Sequence, residues 1–183
     1  AFGVQHGLIE PEGSGGEPLR ILVYDLGGGT FDVTVMEMHG NQCVALATDG
    51  DVHLGGYDWD QRLVDLVAEQ FIGEHYVDPR EDPTTAAKLW RECEDAKRTL
   101  SARERASAAC DYQGRSGRVE ITREQFEEAT QDLLDRTRFT TTQTLRAAGL
   151  GWDRIDRVLL VGGSTRMPMV RNMLGDLSGQ EPD

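Results

Sequence analysis

The chain has 183 residues, 28% of them charged, and a formal net charge of −13. That length suffices for one domain with a core, and the negative balance argues against general binding to nucleic-acid phosphates or anionic lipid. No apolar run is long enough to span a bilayer and no signal peptide is read, so neither nucleic acid nor a membrane is expected as a partner.

Cys43, Cys93 and Cys110 are odd in number and widely spaced. They fit reduced thiols in a cytosolic protein better than a disulfide frame or a zinc site. No pair among His6, His39, His53 and His75 has ligand spacing on one helix face. The chain starts at Ala1 without a methionine and stops at Pro182-Asp183, so a piece of a longer protein is expected.

In chain order, Gln5 to Pro18 carries several glycines and two prolines and reads as a loop or linker. Ile21–Tyr24 and Val33–Met36 are β-branched, apolar runs of strand length. Between them lies Asp25-Leu-Gly-Gly-Gly-Thr30. Gly27, Gly28 and Gly29 have no Cβ, so the backbone can turn tightly and present N–H groups to an anion. Asp25 and Thr30 flank that place, and an acid beside a phosphate fits a divalent cation or its bound water. No lysine follows the glycines, which excludes a Walker loop. Asp32 stands where a dinucleotide loop needs glycine. Taken alone, a plain glycine-turned hairpin accounts for the stretch equally well.

Gln42–Thr48 is a third strand, completing an antiparallel meander. Gly55 and Gly56 then precede a helix whose apolar positions are Trp59, Leu63, Leu66, Val67 and Phe71. Its N-terminal N–H groups suit phosphate, although a capped helix after a loop is the plainer account. Asp49 and Asp51 alternate as in a calcium loop, but that loop's glycine and terminal glutamate are missing.

From Pro83 to Leu100 the residues Ala86, Leu89, Cys93, Ala96 and Leu100 make one buried stripe. A second stripe, Trp90, Glu94, Lys97, Arg98 and Ser101, runs beside it. Glu94 and Lys97 can pair on an exposed face. Alternatively the stripe walls a ligand, with acid, amine and hydroxyl on a sugar or base and the guanidinium stacked on a ring. Arg105–Tyr112 and Arg118–Ile121 read as a hairpin, and Thr122 with Gln125 as a capping box. In the helix that follows, Thr140, Thr141, Thr142 and Thr144 are expected to loosen the second half, and Gly149 to cap it. Arg157–Val161 reads as a buried strand leading to Gly162-Gly163-Ser164-Thr165-Arg166-Met167-Pro168. Ser164 is expected to cap the final helix, with the glycine pair forming a ligand loop at the strand's carboxyl end.

Taken together, Asp25-Leu-Gly-Gly-Gly-Thr-Phe-Asp32, Asp51-Val-His-Leu-Gly-Gly56, Glu94-Asp-Ala-Lys-Arg-Thr-Leu-Ser101 and Leu160-Val-Gly-Gly-Ser-Thr-Arg166 resemble the seventy-kilodalton heat-shock chaperones of the DnaK type. The first motif alone would indicate only the wider actin, sugar-kinase and heat-shock superfamily. The resemblance covers nearly the whole chain. It implies an α/β, ribonuclease-H-like, actin-like ATPase lobe with a mixed sheet, flanking helices and a small helical-hairpin subdomain at roughly 55–121. Residues 1–183 would be the second of two lobes that hold ATP or ADP with Mg2+ between them.

By resemblance, Gly28, Gly29 and Thr30 meet the β- and γ-phosphates, and Asp25 acts through magnesium-bound water and places the attacking water. Gly55 and Gly56, and Gly162 with Gly163, form the neighbouring turns. Glu94, Lys97, Arg98 and Ser101 take the adenosine from one side. Gly163, Ser164 and Arg166 take it from the other, with Arg166 on the purine. Asp183 falls where the family has an acid near the nucleoside. Unfolded client peptides, a J-domain co-chaperone and a nucleotide-exchange factor follow as partners, and the cytoplasm as the location. The first lobe's phosphate hairpin and catalytic lysine are absent, so this chain alone should hydrolyse ATP poorly or not at all. A filament-forming actin-like ATPase and a nucleotide-sensing adaptor without hydrolysis are the alternatives. Tyr57 departs from the glutamate that many members carry, the segment from Gln113 to Arg118 is short for the family, and threonines at 140–144 replace a stretch that often carries proline.

Overall fold

A computed structural model describes residues 18–183. The linker expected from Gln5 onward lies outside these residues except for Pro18. Strands β1 (Leu19–Leu26), β2 (Phe31–His39) and β3 (Gln42–Asp51) form the antiparallel meander. β6 (Arg157–Val161) joins β1 in parallel, giving a four-stranded mixed sheet in the order β3-β2-β1-β6. Leu22, Tyr24 and Leu26 of β1 and Phe31, Val33 and Val35 of β2 alternate onto one face and enter the main core. Ile21, Met38 and Leu159 form a smaller cluster on the other face. The period-2 rule thus places every second residue of β1 against the helices and leaves Asp25 at its carboxyl end on the opposite face.

Between β3 and β6 run α1 (Gly56–His75), α2 (Pro83–Ala102), the hairpin β4 (Arg105–Tyr112) and β5 (Arg115–Thr122), α3 (Arg123–Ala129) and α4 (Gln131–Ala147). The chain ends through α5 (Pro168–Ser178). α1 buries Trp59, Leu63, Val67 and Phe71. α2 buries Leu89, Cys93, Ala96 and Leu100, the expected stripe apart from half-buried Ala86. Asp82 caps α2, accepting from the backbone N–H of Thr85 at 2.7 Å. All three cysteines are unpaired thiols. Burial pushes Cys93 up to about 12 and Cys110 up to about 11, which keeps both protonated.

Two local expectations are corrected. β5 starts at Arg115, because Gln113 and Gly114, at φ +51° and +72°, make the whole turn. The threonines do not loosen the long helix. Thr141 Oγ1 donates to the Thr137 carbonyl at 2.7 Å and Thr144 Oγ1 to Thr140 at 2.8 Å, so buried hydroxyls are satisfied within an unbroken α4. The break falls earlier, at Thr130, whose hydroxyl bonds the Phe126 carbonyl.

Gly149 ends α4 as expected. Its N–H bonds the Arg146 carbonyl at 2.9 Å and the Leu150 N–H bonds Leu145 at 3.2 Å, with Gly149 at φ +71°. A Cβ there would meet nothing within 4 Å. Gly149→Ala should therefore cost only about 1 kcal/mol, the left-handed backbone penalty alone. A urea melt checks this.

Candidate functional site

The three glycine turns meet at one atom, the carbonyl oxygen of Gly27. The first turn closes on itself through Gly27 N–H to the Thr30 carbonyl at 3.0 Å. The Gly27 carbonyl then accepts from the Gly56 N–H at 3.0 Å and from Ser164 Oγ at 2.9 Å. Tyr57 N–H adds a bond to the Gly28 carbonyl at 2.8 Å. Ser164 is therefore not the cap expected from the sequence. It lies in a short 3-10 turn (Gly163–Arg166), and α5 starts from Met167 without a side-chain cap. Its hydroxyl serves a longer-range purpose, tying the loop after β6 to the loop after β1.

Close approach explains two of the glycines. A Cβ on Gly55 would lie 2.5 Å from both N and Cα of Gly29. A Cβ on Gly56 would run into Ser164 Oγ and sit 3.2 Å from Lys97 Nζ. Gly28, Gly29 and Gly163 differ. None has a left-handed φ, and a Cβ on any of them would meet nothing within 4 Å. Neither backbone conformation nor internal packing accounts for glycine at these three positions. All three leave open space in front of the backbone.

Gly28 and Gly163 border an open hollow of about 550 Å³, whereas Gly29 and Gly55 are not among its lining residues. Trp90, Glu94, Lys97, Arg98 and Ser101 of α2 form one wall, and Gly163, Ser164, Arg166 and Met167 the other. Gly28, Gly56, Tyr57 and Asp60 close the rest. The second stripe of α2 thus lines a cavity instead of a plain solvated face. Its pairing differs from the one the spacing suggested. Glu94 pairs with Arg98 at 2.5 Å, and Lys97 turns to Asp60 of α1 at 2.8 Å. Lys97 Nζ also donates to the Gly56 carbonyl at 2.8 Å. Ser101 Oγ bonds back to the Lys97 carbonyl at 3.2 Å. Tyr57 stacks on Trp90 with ring centroids 4.4 Å apart at the rim.

The other expected site residues lie around this hollow without lining it. Asp25 is the last residue but one of β1, opposite Asp32 of β2, and Thr30 is exposed just before β2. Partial burial, and then the neighbouring Asp32 charge, raise the Asp25 carboxyl above its ordinary value. Gly162 adopts φ +91° beside Asp25, whose Oδ1 is 2.9 Å from the place of a Cβ on Gly162. Asp183 runs beside β6, its backbone bonded to Val158 and Leu160 and its carboxylate 2.8 Å from Arg157. It is not brought to the hollow. Sequence reasoning missed Asp60 and Met167. Asp60 stands next to the buried Trp59 of α1, and no local spacing marks it as the partner of a lysine on α2.

Comparison with known proteins places the chain in a family. The family model described as Hsp70 protein matches residues 1–183. The chain is 46% identical over 168 residues to a "Chaperone protein DnaK" of Halobacterium salinarum, covering 88% of this chain and 27% of that protein. It is 43% identical over 173 residues to the protein of that name from Metamycoplasma hominis, covering 91% and 29%. With the one from Thermotoga neapolitana it shares 41% over 175 residues, covering 92% and 29%. The chain spans less than a third of the length of these relatives.

Proposed function

The chain belongs to the Hsp70 family, and on that premise we propose that it is one lobe, the second, of a two-lobed actin-like ATP site in a DnaK-type chaperone. The observation that carries this reading is the set of glycines, Gly28, Gly29 and Gly163, whose missing side chains leave open space in a framework locked by the Gly27 carbonyl. A phosphate chain needs such space, because it is bound by backbone N–H groups that a Cβ would hold at a distance.

In this reading Gly28 and Gly29 cradle phosphate oxygens and the Thr30 hydroxyl adds a donor. Glu94, Lys97 and Ser101 hydrogen-bond the sugar and base. Arg98 and Arg166 offer flat guanidinium faces to a purine from opposite walls. Asp25 and Asp32, paired across β1 and β2, suit a hydrated magnesium ion, since a cation offsets the burial, and then the Asp32 charge, that raise Asp25. Magnesium, when bound, neutralises phosphate charge and orders water. Asp25 orients such a water and accepts its hydrogen bond. Hydrolysis, client peptides, the J-domain co-chaperone and the exchange factor belong to the whole protein. Among the described residues no helix is long and apolar enough to cross a membrane.

Gly28→Ala tests the reading. With nothing near the added Cβ, stability should stay within about 0.5 kcal/mol of the parent. Affinity of the intact protein for magnesium-ADP, measured by calorimetry, should fall at least about tenfold, the loss of one or more charge-assisted hydrogen bonds. Unchanged affinity would place the phosphates elsewhere.

A further inference from the structure

We infer that Asp60 is a positioning residue for the hollow, acting through Lys97. Asp60 is 6% exposed, and its Oδ2 lies 2.8 Å from Lys97 Nζ. The Gly56 carbonyl takes a second proton of the same ammonium at 2.8 Å. An ammonium has three N–H groups. Two are thus fixed by protein, and one is left for a ligand in the hollow that Lys97 lines. The lysine has a competing partner. Glu94 sits one turn back on α2 and is held by Arg98 at 2.5 Å. Without the Asp60 charge, Lys97 can swing to Glu94 across its own helix face. That move would pull the amine away from Gly56 and pull Glu94 from Arg98, two changes in one wall. Among the described residues the Asp60 Oδ1 atom is buried without a hydrogen-bond partner, so the contact to Lys97 through Oδ2 is the polar contact seen for this carboxylate.

The inference rests on the nucleotide reading above and deepens it: recognition of the sugar hydroxyls depends on a residue of α1 at the edge of the hollow, acting through the lysine of α2. The test is calorimetry of the intact protein with magnesium-ADP and with its 2′,3′-dideoxy analogue. The parent should prefer ADP. In Asp60→Asn, isosteric and still able to hydrogen-bond, ADP affinity should fall about tenfold, in keeping with loss of one charged hydrogen bond. The dideoxy analogue should change less than about twofold, because it lacks the hydroxyls that Lys97 meets. Asp60→Glu, which keeps the charge but displaces it, is read in the same way if the asparagine variant loses its cooperative melt. Equal loss for both ligands marks damage to the fold and overturns the inference, as does no loss for either. A parent that binds neither ligand rejects the nucleotide reading and this inference with it, a pattern distinct from the other two.

Discussion

Gly162→Ala is expected to destabilise the chain by on the order of 4 kcal/mol, the sum of a backbone penalty and a packing clash. Gly162 has φ +91° and ψ 151°, a region that side chains rarely enter. An added Cβ would collide with the Leu26 carbonyl oxygen, lie 2.6 Å from its carbon and 2.9 Å from Asp25 Oδ1. The Asp25 carboxylate can turn aside, but the Leu26 carbonyl is backbone and cannot yield. Leu26 ends β1, Asp25 is registered with Val161 in the β1–β6 ladder, and the Leu26 side chain is fully buried. Relief therefore means prying β6 from β1 at the mouth of the site. Gly149→Ala supplies a partial control: it shares a positive φ but has open space around it, so the difference between the two variants measures the clash together with the extra backbone cost of the region Gly162 occupies. For a domain of this size the melting temperature should drop by roughly 8–16 °C. If the two variants melted alike, the close packing of the loop after β6 onto β1 would be wrong.

The parts legible in the sequence were those with a period. Alternation in Leu22, Tyr24 and Leu26, and steps of three and four in Leu89, Cys93, Ala96 and Leu100, report burial directly, because each face must meet a core. The wall of the hollow was legible for the same reason: α2 has two stripes, and the apolar one fixes the direction of the other. What the sequence left open was the choice between partners of equal local merit. Ser164 preceded a helix and suited a cap, yet its hydroxyl found the Gly27 carbonyl of a distant turn. Glu94 had Lys97 at one spacing and Arg98 at another, and both are favourable. Asp60 settled that choice by taking Lys97, a contact between two helices that no spacing encodes. The threonines of α4 were weak helix formers by propensity, but buried hydroxyls bonded to their own backbone let packing override that preference.

Lys97→Met should carry the other large effect, a loss of about 3–5 kcal/mol at neutral pH, as when one member of a buried ion pair is removed. Lys97 and Asp60 side chains are 13% and 9% exposed, so neither charge has ready access to water. Burial already raises the Asp60 carboxyl above its ordinary value, and Lys97 is the main influence pulling it back down. Methionine removes that influence, so the folded-state value rises further while the unfolded value stays near the ordinary one, about 3.9. A raised carboxyl destabilises the fold only where the unfolded chain would ionise. The added cost should therefore be largest above the raised value and shrink as the pH falls through about 4, below which Asp60 is mostly protonated in both states. The parent's Asp60 is raised as well, but by less because Lys97 pulls it back, so the parent gains less than the variant over the same range and the gap narrows. Urea melts of parent and variant at pH 7 and pH 4 measure this. The double variant Asp60→Asn with Lys97→Met should recover most of the loss at pH 7, because no unpaired charge remains. A gap between parent and Lys97→Met that was equal at both pH values, and a double variant no better than the single, would mean that Lys97 stabilises the fold through its stem and the Gly56 carbonyl alone. Asp60 would then be a bystander at the hollow and not the group that holds its amine.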